Sequence, residues 1–498
     1  METQRPHVAI FPSPGLGHLI PLAAFAQQLA TIHGFSVTFI NVSTGSSPMQ
    51  DSILAGLEQT CKGFVKSVEL PMMDMSDIPP DTGKVVQISL TIRRSLGSLR
   101  GLLGDLFSGL PTATGRFPAI SGLIADPFCA DVIELTHELQ LPTYLFFTST
   151  ATLLSLMLHL PTLDQEISGE YRDLDFPVQV PGCFPIPGKD LPEQLQDRED
   201  EEYAWFLRHA RKYIEAKSIL INTFQALEPH PIKTLRDKEA WGAISVPKIV
   251  PVGPLTLDLP DNPGEECLKW LDEQPLNSVL FVCFGSGGTF THEQMNEMAM
   301  GLEASEQRFL WVIRKPHQTS SSASFFSSTS NGEDPLAFLP LGFVSRIQGR
   351  GLVIPDWAPQ GRILAHSSIG GFMSHCGWNS TLESVKNGVP MIAWPLYAEQ
   401  RMNALMLANE IKVALRPKME DDGIVYNHEI ERAVRCLMEE EEGKLLREKM
   451  GELKTATDSA LAKGGTSYES VNDVAEEWRF GSPIWKDMKK VSFVVGNR

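Results

Sequence analysis

The chain has 498 residues, of which 42% are hydrophobic and 21% are charged, and its formal net charge is -18. This length exceeds one ordinary hydrophobic core, so we expect a soluble globular protein with two domains of roughly 200–250 residues each. The acidic balance argues against nucleic acid and anionic membrane surfaces as partners, because the sequence offers no basic footprint.

Cysteine usage and hydropathy indicate the cellular setting. Seven cysteines are scattered without a CxxC pair, which indicates reduced thiols rather than a disulfide framework. No apolar run reaches the length of a membrane span, and the N-terminus lacks the features of a signal peptide. We expect a cytoplasmic and monomeric protein.

The first half of the chain alternates short apolar segments with helical ones, which predicts parallel strands with helices on both faces of the sheet. A helix is predicted over residues 18–31, and the proline-rich residues 246–264 are interpreted as a linker. The predicted strands are residues 7–11, 36–42, 120–125, 143–147 and 218–223.

The second half restarts the same alternation. A strand ends in the glycine-rich loop 285–289, and Thr291 with Gln294 fits a capping box for the next helix. The serine-rich residues 319–330 are interpreted as a mobile surface loop. The other predicted elements are strands at 279–284, 308–313, 369–373 and 391–394, and helices that begin at 378 and cover 429–463 and 467–478.

A tight turn at residues 374–377 leads from a strand into a helix, which presents unpaired backbone N–H groups and the positive end of the helix dipole. This arrangement predicts a seat for a phosphate or pyrophosphate. The side chains of His375, Asn379 and Ser380 can add hydrogen-bond donors. Upstream, Trp357 offers a flat face on which a base can stack.

Two polar residues follow strands of the first half. His18 lies just past the first strand, and Asp126 closes the strand at 120–125. Because the carboxyl ends of parallel strands meet at one edge, Asp126 can hold one ring nitrogen of His18 and raise its basicity. A neutral imidazole suits the removal of a proton from an acceptor hydroxyl.

The 44 residues from Trp357 to Gln400 resemble, over their full length, the donor-binding signature of plant family-one UDP-glycosyltransferases. The unbroken HCGWNSTLES is the most specific part. The segments FGSGGT, DPLAFLPLGF and WPLYAEQRMNA are similar to the hydroquinone glucosyltransferase (arbutin synthase) group of this family. The chain departs from the commonest pattern at Glu399, where many members carry Asp.

The resemblance implies the GT-B form of the α/β class, with two Rossmann-like domains whose parallel sheets face an interdomain cleft. Residues 1–250 are expected to bind the acceptor and residues 251–480 the donor. A C-terminal helix is expected to cross back, with residues 481–498 as a tail that returns to the first domain. UDP-glucose is implied as the co-substrate, without a further cofactor.

In this family, a His in the context of His18 is the general base and an Asp in the context of Asp126 is its partner. Glu383 is implied to hold the ribose, and Glu399 and Gln400 the sugar hydroxyls. The whole set of predicted donor-binding residues is Ser286, Trp357, Ala358, Gln360, His375, Trp378, Asn379, Ser380, Glu383, Glu399 and Gln400.

Aromatic residues near strand ends of the first half, Phe128 and Phe147, are predicted to line the acceptor pocket, with Tyr144 as a further candidate. Their alternative is a place in the core. No HExxH motif, Cys/His cluster or DxD pair indicates a metal site.

Several of these residues have structural alternatives. His18 can cap a helix, Asp126 can initiate a turn before Pro127, and Ser286 can serve its own turn. Ser380 and Glu383 fit a capping box.

We predict an inverting, UDP-glucose-dependent glucosyltransferase that acts on a hydroxyl of a small phenolic acceptor of hydroquinone, indoxyl or monolignol type. Transfer to nitrogen or sulfur of an aromatic is the alternative. A nicotinamide-dependent dehydrogenase is disfavoured, because Ile20 stands where its third glycine is needed and no acidic residue follows the second strand. A non-catalytic nucleotide-sugar binder is expected to lack His18 or Asp126, and both are present.

Overall fold

A computed structural model of the chain describes residues 5–43, 45, 47–109, 119–257, 265–316 and 334–481. The serine-rich segment 319–330 and residues 482–498 of the predicted tail lie outside the described residues. Within the described part, no helix is both long and apolar enough to cross a membrane.

The first sheet contains strands of the N-terminal half, all parallel. They are β1 His7–Phe11, β2 Ser36–Val42, β3 Val65–Leu70, β4 Ile120–Ala125, β5 Thr143–Phe147, β6 Ser218–Ile221 and β7 Lys248–Pro251. Their order is β3-β2-β1-β4-β5-β6-β7. Every residue of β1, β2, β4 and β5 is buried, because helices cover both faces of the sheet.

The second sheet repeats this design with the strands of the C-terminal half. They are β8 Val279–Cys283, β9 Arg308–Ile313, β10 Gly351–Pro355, β11 Ile369–Ser374, β12 Met391–Ala393 and β13 Ala414–Leu415. Their order is β10-β9-β8-β11-β12-β13, again with parallel pairing.

The helices alternate with these strands along the chain. They are α1 Leu16–Thr31, α2 Pro48–Thr60, α3 Lys84–Phe107, α4 Val132–Glu138, α5 Ala151–Glu166, α6 Glu201–Tyr213, α7 Pro229–Arg236, α8 Glu265–Asp272, α9 His292–Ala304, α10 Phe343–Arg346, α11 Gln360–Leu364, α12 Trp378–Asn387, α13 Gln400–Leu405, α14 Asn427–Glu439, α15 Glu441–Leu461 and α16 Thr466–Gly481.

Part of the proline-rich segment 246–264, interpreted as a linker, belongs to the first sheet, because Lys248–Pro251 forms β7 and pairs with β6. The predicted domain division after residue 250 therefore falls inside a strand. Proline is tolerated there because β7 lies at the edge of the sheet, where one side of the backbone needs no ladder partner.

The helical segment predicted over residues 429–463 consists of two helices, α14 and α15, because the chain is extended at Glu440. Four consecutive glutamates, residues 439–442, surround this break. Negative charge is unfavourable at the C-terminus of α14 and favourable in the first turn of α15, so the charge run places the boundary.

Each sheet has a switch point, where two strands that are distant in sequence lie side by side. The connections that follow these two strands lead to opposite sides of the sheet. In the first sheet this is β1 beside β4, and in the second it is β8 beside β11. Ligands of open α/β sheets bind at the carboxyl ends of such strands. His18 and Asp126 follow β1 and β4, while the loop 285–289 and the turn 374–377 follow β8 and β11.

The last described helix, α16, returns from the second half to the first sheet. The indole of Trp478 is 1% exposed and packs edge-on against Phe25, Phe35 and Tyr144. The guanidinium of Arg479 donates to the carbonyl of His33. The end of the described chain is therefore part of the core beside β1, β2 and β5.

Replacing Trp478 by Ala should lower the free energy of unfolding by about 3–5 kcal/mol, because it removes a large buried ring from a packed site. The measurement is urea unfolding followed by circular dichroism. Phe480→Ala is the matched control, because this ring on the same helix is 53% exposed and should contribute little. Equal losses in the two variants would contradict the packing described here.

Candidate active site

The two switch points face each other across a cleft between the sheets, and hydrogen bonds join them directly. The amide of Asn379, in the first turn of α12, donates to the carbonyl of Gly17 at 2.9 Å. The hydroxyl of Ser149, just after β5, donates to Glu399 Oε1 at 3.1 Å. The structure therefore brings predicted residues of the second half, Asn379 and Glu399, against the carboxyl edge of the first sheet.

A short polar contact at the carboxyl edge of the first sheet joins His18 Nδ1 and Asp126 Oδ2, which are 2.7 Å apart. Asp126 is fully buried, and its other oxygen accepts the backbone N–H of Phe128 at 3.0 Å. Asp126 therefore initiates the turn and also holds His18, so both interpretations of this residue apply. With the carboxylate on Nδ1–H, the lone pair of Nε2 is left for an incoming proton.

The start of α1 explains how His18 reaches the cleft. The helix is capped by Gly15, whose φ of 116° favours glycine, and His18 lies within the first turn instead of capping the helix. Its side chain keeps 25% of its surface exposed.

The pKa of His18 reflects opposing effects. Burial of the ring lowers the pKa, but the charge and the hydrogen bond of Asp126 raise it, and the charge of Glu399 adds to them. The net result is a pKa above the ordinary 6.5. The imidazole is thus a stronger base than a free histidine.

The phosphate turn of the second half has the predicted form. Cys376 adopts a φ of 62°, and the N-cap of α12 is Gly377, which has no side chain to cap the helix and leaves its first N–H groups available. The ring of His375 is held between two glycines, since a Cβ at Gly285 or Gly377 would lie 2.5 or 2.4 Å from it. Burial and the charge of Arg314 lower the pKa of His375 to about 4, so it is neutral at pH 7.

Three of the predicted donor-binding residues form a small network at the side of this turn. The amide of Gln360 donates to Ser380 Oγ at 2.9 Å and to Glu383 Oε2 at 2.5 Å. The proposed capping box of Ser380 and Glu383 is not formed, because the N-cap of α12 is Gly377 and Ser380 lies inside the helix. Trp357 is half-buried, and Ala358 is buried.

Two other predicted residues have structural contacts. The indole N–H of Trp378 is buried and donates to the carbonyl of Asn222 in the first half at 2.7 Å. The side-chain oxygen of Gln400 accepts the backbone N–H groups of Leu396 and Tyr397 at 2.9 and 3.0 Å. Gln400 therefore shapes the turn that presents Glu399.

Comparisons with known proteins agree with this geometry. The family model described as UDP-glucoronosyl and UDP-glucosyl transferase matches residues 246–444. UDP-glycosyltransferase 72B1 of Arabidopsis thaliana is 48% identical, with 96% of this chain and 97% of that protein covered. The chain belongs to this family. The hydroquinone glucosyltransferase of Rauvolfia serpentina is 47% identical over 95% of this chain and 98% of that protein.

Solved structures give the same result. A UDP-glucosyltransferase from Polygonum tinctorium, capable of glucosylating indoxyl and complexed with 3,4-dichloroaniline, is 45% identical, with a TM-score of 0.86 over 96% of this chain and 100% of that one. UGT2 of Phytolacca americana, complexed with UDP-2-fluoro-glucose and pterostilbene, has a TM-score of 0.84 at 44% identity over the same shares. The predicted family and its GT-B fold are confirmed, and a UDP-sugar is the co-substrate of these enzymes.

The predicted acceptor residues of this UDP-glycosyltransferase occupy different places. The ring of Phe128 lies 5.2 Å from that of His18 and 6.1 Å from that of Phe206. Phe147 is 3% exposed and packs against Tyr213 in the core, and Tyr144 packs against α16. Only Phe128 lies beside the candidate base.

Some site residues of the UDP-glycosyltransferase were not predicted. Thr148 Oγ1 lies 3.3 Å from His18 Nδ1, and Ser149 reaches Glu399. The run Thr148-Ser149-Thr150 directly after β5 was the available signal, because hydroxyl side chains at a carboxyl edge are site candidates. Arg314 follows β9 and donates to the carbonyls of Ser286 and Asp356, which joins the glycine-rich loop to the segment before Trp357.

Replacing Asp126 by Asn should lower the pKa of His18, because the effect of burial remains while the charge that opposes it is lost. Histidine ring carbons labelled with ¹³C can be followed by NMR between pH 5 and 9, with His18→Ala used for assignment. A control variant, Asp272→Asn, removes a carboxylate beside His366 at 3.1 Å and should leave His18 unchanged. A pKa of His18 that stays the same in Asp126→Asn would contradict the coupling.

Proposed function

We propose that this UDP-glycosyltransferase transfers glucose from UDP-glucose to the hydroxyl of a small phenolic acceptor, with inversion at the anomeric carbon. The observation that carries the proposal is the 2.7 Å contact of His18 with buried Asp126, at the switch point that faces the phosphate turn. The relatives named for hydroquinone and for indoxyl support this acceptor class.

The chemistry assigns a role to each half of the cleft. Nε2 of His18 takes the proton of the acceptor hydroxyl as its oxygen attacks the anomeric carbon, while Asp126 stabilises the imidazolium that forms. Attack opposite the leaving group breaks the bond between the anomeric carbon and the UDP oxygen. The charge on the departing UDP is stabilised by the N-terminus of α12, with His375, Asn379, Ser380 and Ser286 as further partners.

The acceptor class follows from the chemistry of this base and its surroundings. The pKa of a phenol, about 10, is only a few units above the pKa of the His18 imidazole, which Asp126 raises. The rings of Phe128 and Phe206 favour a flat aromatic partner beside His18. Anilines are a second candidate class, because a related glucosyltransferase binds 3,4-dichloroaniline. The cytoplasmic location and the monomeric state stay predictions.

His18→Ala should reduce kcat by about 10²–10⁴-fold on a weakly acidic phenol while UDP still binds, because general-base catalysis has this size. Asp126→Asn should cost less, since it removes the charge that stabilises the imidazolium and leaves the base itself in place. Initial rates and UDP calorimetry measure the two effects. Near-normal turnover by His18→Ala on such a phenol would overturn the role of His18.

Chelation should leave the activity intact. The assigned partners of the pyrophosphate are backbone N–H groups and neutral side chains, so no step of the proposed mechanism needs a metal ion. The measurement compares initial rates with and without excess EDTA. A complete loss that Mg²⁺ or Mn²⁺ restores would overturn this assignment.

A panel of acceptors tests the proposed substrate class. We expect higher kcat/KM for hydroquinone, indoxyl and a monolignol than for a sterol, because a compact planar ring can pack against Phe128 with its hydroxyl near His18. Product analysis by mass spectrometry and NMR identifies the glucosylated atom. Preferred turnover of the sterol, or no turnover of any phenol, would contradict the proposed acceptor class.

A further inference from the structure

The turn that presents Glu399 belongs to the second domain, yet side chains of the first domain hold it. Glu399 Oε1 accepts the hydroxyl of Ser149 at 3.1 Å and lies 3.4 Å from the amide nitrogen of Asn403. Among the described residues, Oε2 of the same carboxylate has no hydrogen-bond partner. One oxygen is therefore anchored and the other is left for a ligand.

A second contact between the domains lies one residue earlier. The backbone N–H of Glu193 donates to the carbonyl of Ala398 at 2.9 Å, and the N–H of Ala398 donates to Glu193 Oε2 at 3.1 Å. Ala398 has a φ of 53°, a conformation that residues with a Cβ seldom adopt without support. The first domain thus holds both the backbone and the side chain of this turn.

The direction of the Glu399 carboxylate follows from these contacts. Its charge is one of the effects that raise the pKa of His18, so the carboxylate lies near the candidate base. Ser149 is 8% exposed, and its backbone is fixed because the next residue, Thr150, caps α5. The buried carboxylate of Glu228 accepts the N–H groups of Ala151 and Thr152 at 2.9 and 3.0 Å.

We propose that Ser149 and Glu193 are positioning residues of the acceptor-binding domain that aim the Glu399 carboxylate at the sugar of the donor. The proposal rests on the proposed function, in which Glu399 binds the sugar hydroxyls. A preorganised carboxylate loses less side-chain freedom when the sugar binds, so its contribution to affinity is larger. Recognition of the sugar therefore requires both domains, whereas recognition of UDP does not involve Ser149.

Glu399 has the length that this contact needs. An aspartate at this position is shorter by one methylene, about 1.5 Å, and would lose the 3.1 Å contact with Ser149. The pair Ser149 and Glu399 is therefore suited to a double-mutant cycle. Once Glu399→Asp has removed the hydrogen bond between the two side chains, Ser149→Ala has no hydrogen bond left to break.

The experiment measures the Kd of UDP-glucose and of UDP by calorimetry on the full chain, without an acceptor. Ser149→Ala should weaken UDP-glucose about tenfold, since a hydrogen bond to a charged group is lost, and should change the Kd of UDP by less than about twofold. In the Glu399→Asp background, Ser149→Ala should weaken UDP-glucose by less than about twofold. Glu193→Ala should also weaken UDP-glucose and spare UDP.

Ser149→Thr keeps the hydroxyl and should retain the affinity for UDP-glucose. Ser121→Ala is the matched control, because Ser121 is a buried serine in β4 of the first sheet whose hydroxyl has no hydrogen-bond partner among the residues that the structure describes. Equal weakening of UDP and UDP-glucose by Ser149→Ala, unchanged affinity for both, or full additivity with Glu399→Asp would each overturn the proposal. Failure of the proposed function would instead appear as absent turnover with every phenol and aniline. The affinities for UDP-glucose and UDP are measured without an acceptor, so they can still be interpreted in that case.

Discussion

The pairing of β1 with β4 is the constraint on which the candidate site depends. Phe11 lies opposite Ala125 in this parallel ladder, and the N–H of Asp126 donates to the carbonyl of Phe11 at 3.0 Å. This register brings residues 108 positions apart in sequence to a 2.7 Å contact between His18 and Asp126. The equivalent pairing of β8 with β11 sets the glycine-rich loop beside the phosphate turn. Both sets of contacts result from strand order, because the residues that make them come directly after the carboxyl ends of the two neighbouring strands at a switch point.

The charge of the protein makes local electrostatics decisive. A chain with a net charge of -18 repels a diphosphate at long range, so binding must depend on dipoles and charges close to the site. The N-terminus of α12 offers a positive dipole end, and the neutral ring of His375 adds no negative charge beside it. Arg314 supplies a positive charge beside them, and its guanidinium also joins Ser286 to Asp356. The site is therefore locally favourable to an anion in an acidic protein.

Several residues have structural and functional contacts at the same time. Asp126 holds the turn before Phe128 with one oxygen and His18 with the other. Gln400 uses its side-chain oxygen to fix the turn at residues 396–397, and Trp378 joins the two domains through Asn222. A choice between a structural and a functional interpretation is too narrow for such residues, because each polar side chain has more than one hydrogen-bonding atom. A substitution at these positions is expected to affect geometry and chemistry together.

The sequence by itself determined the fold class, most strands of the two sheets and the turn 374–377, because apolar periodicity and glycine placement are local properties of the chain. The resemblance identified the family, which full-length relatives confirm. Strands β3, β7, β10 and β13 were missed, since the first three are partly exposed or rich in proline and β13 has only two residues, so none has a clear apolar run. Only the tertiary structure decided that Phe147 faces the core and Phe128 faces His18. It also decided that Ser149 reaches Glu399, because contacts across the cleft depend on the packing of two domains and leave no periodic signal in either segment.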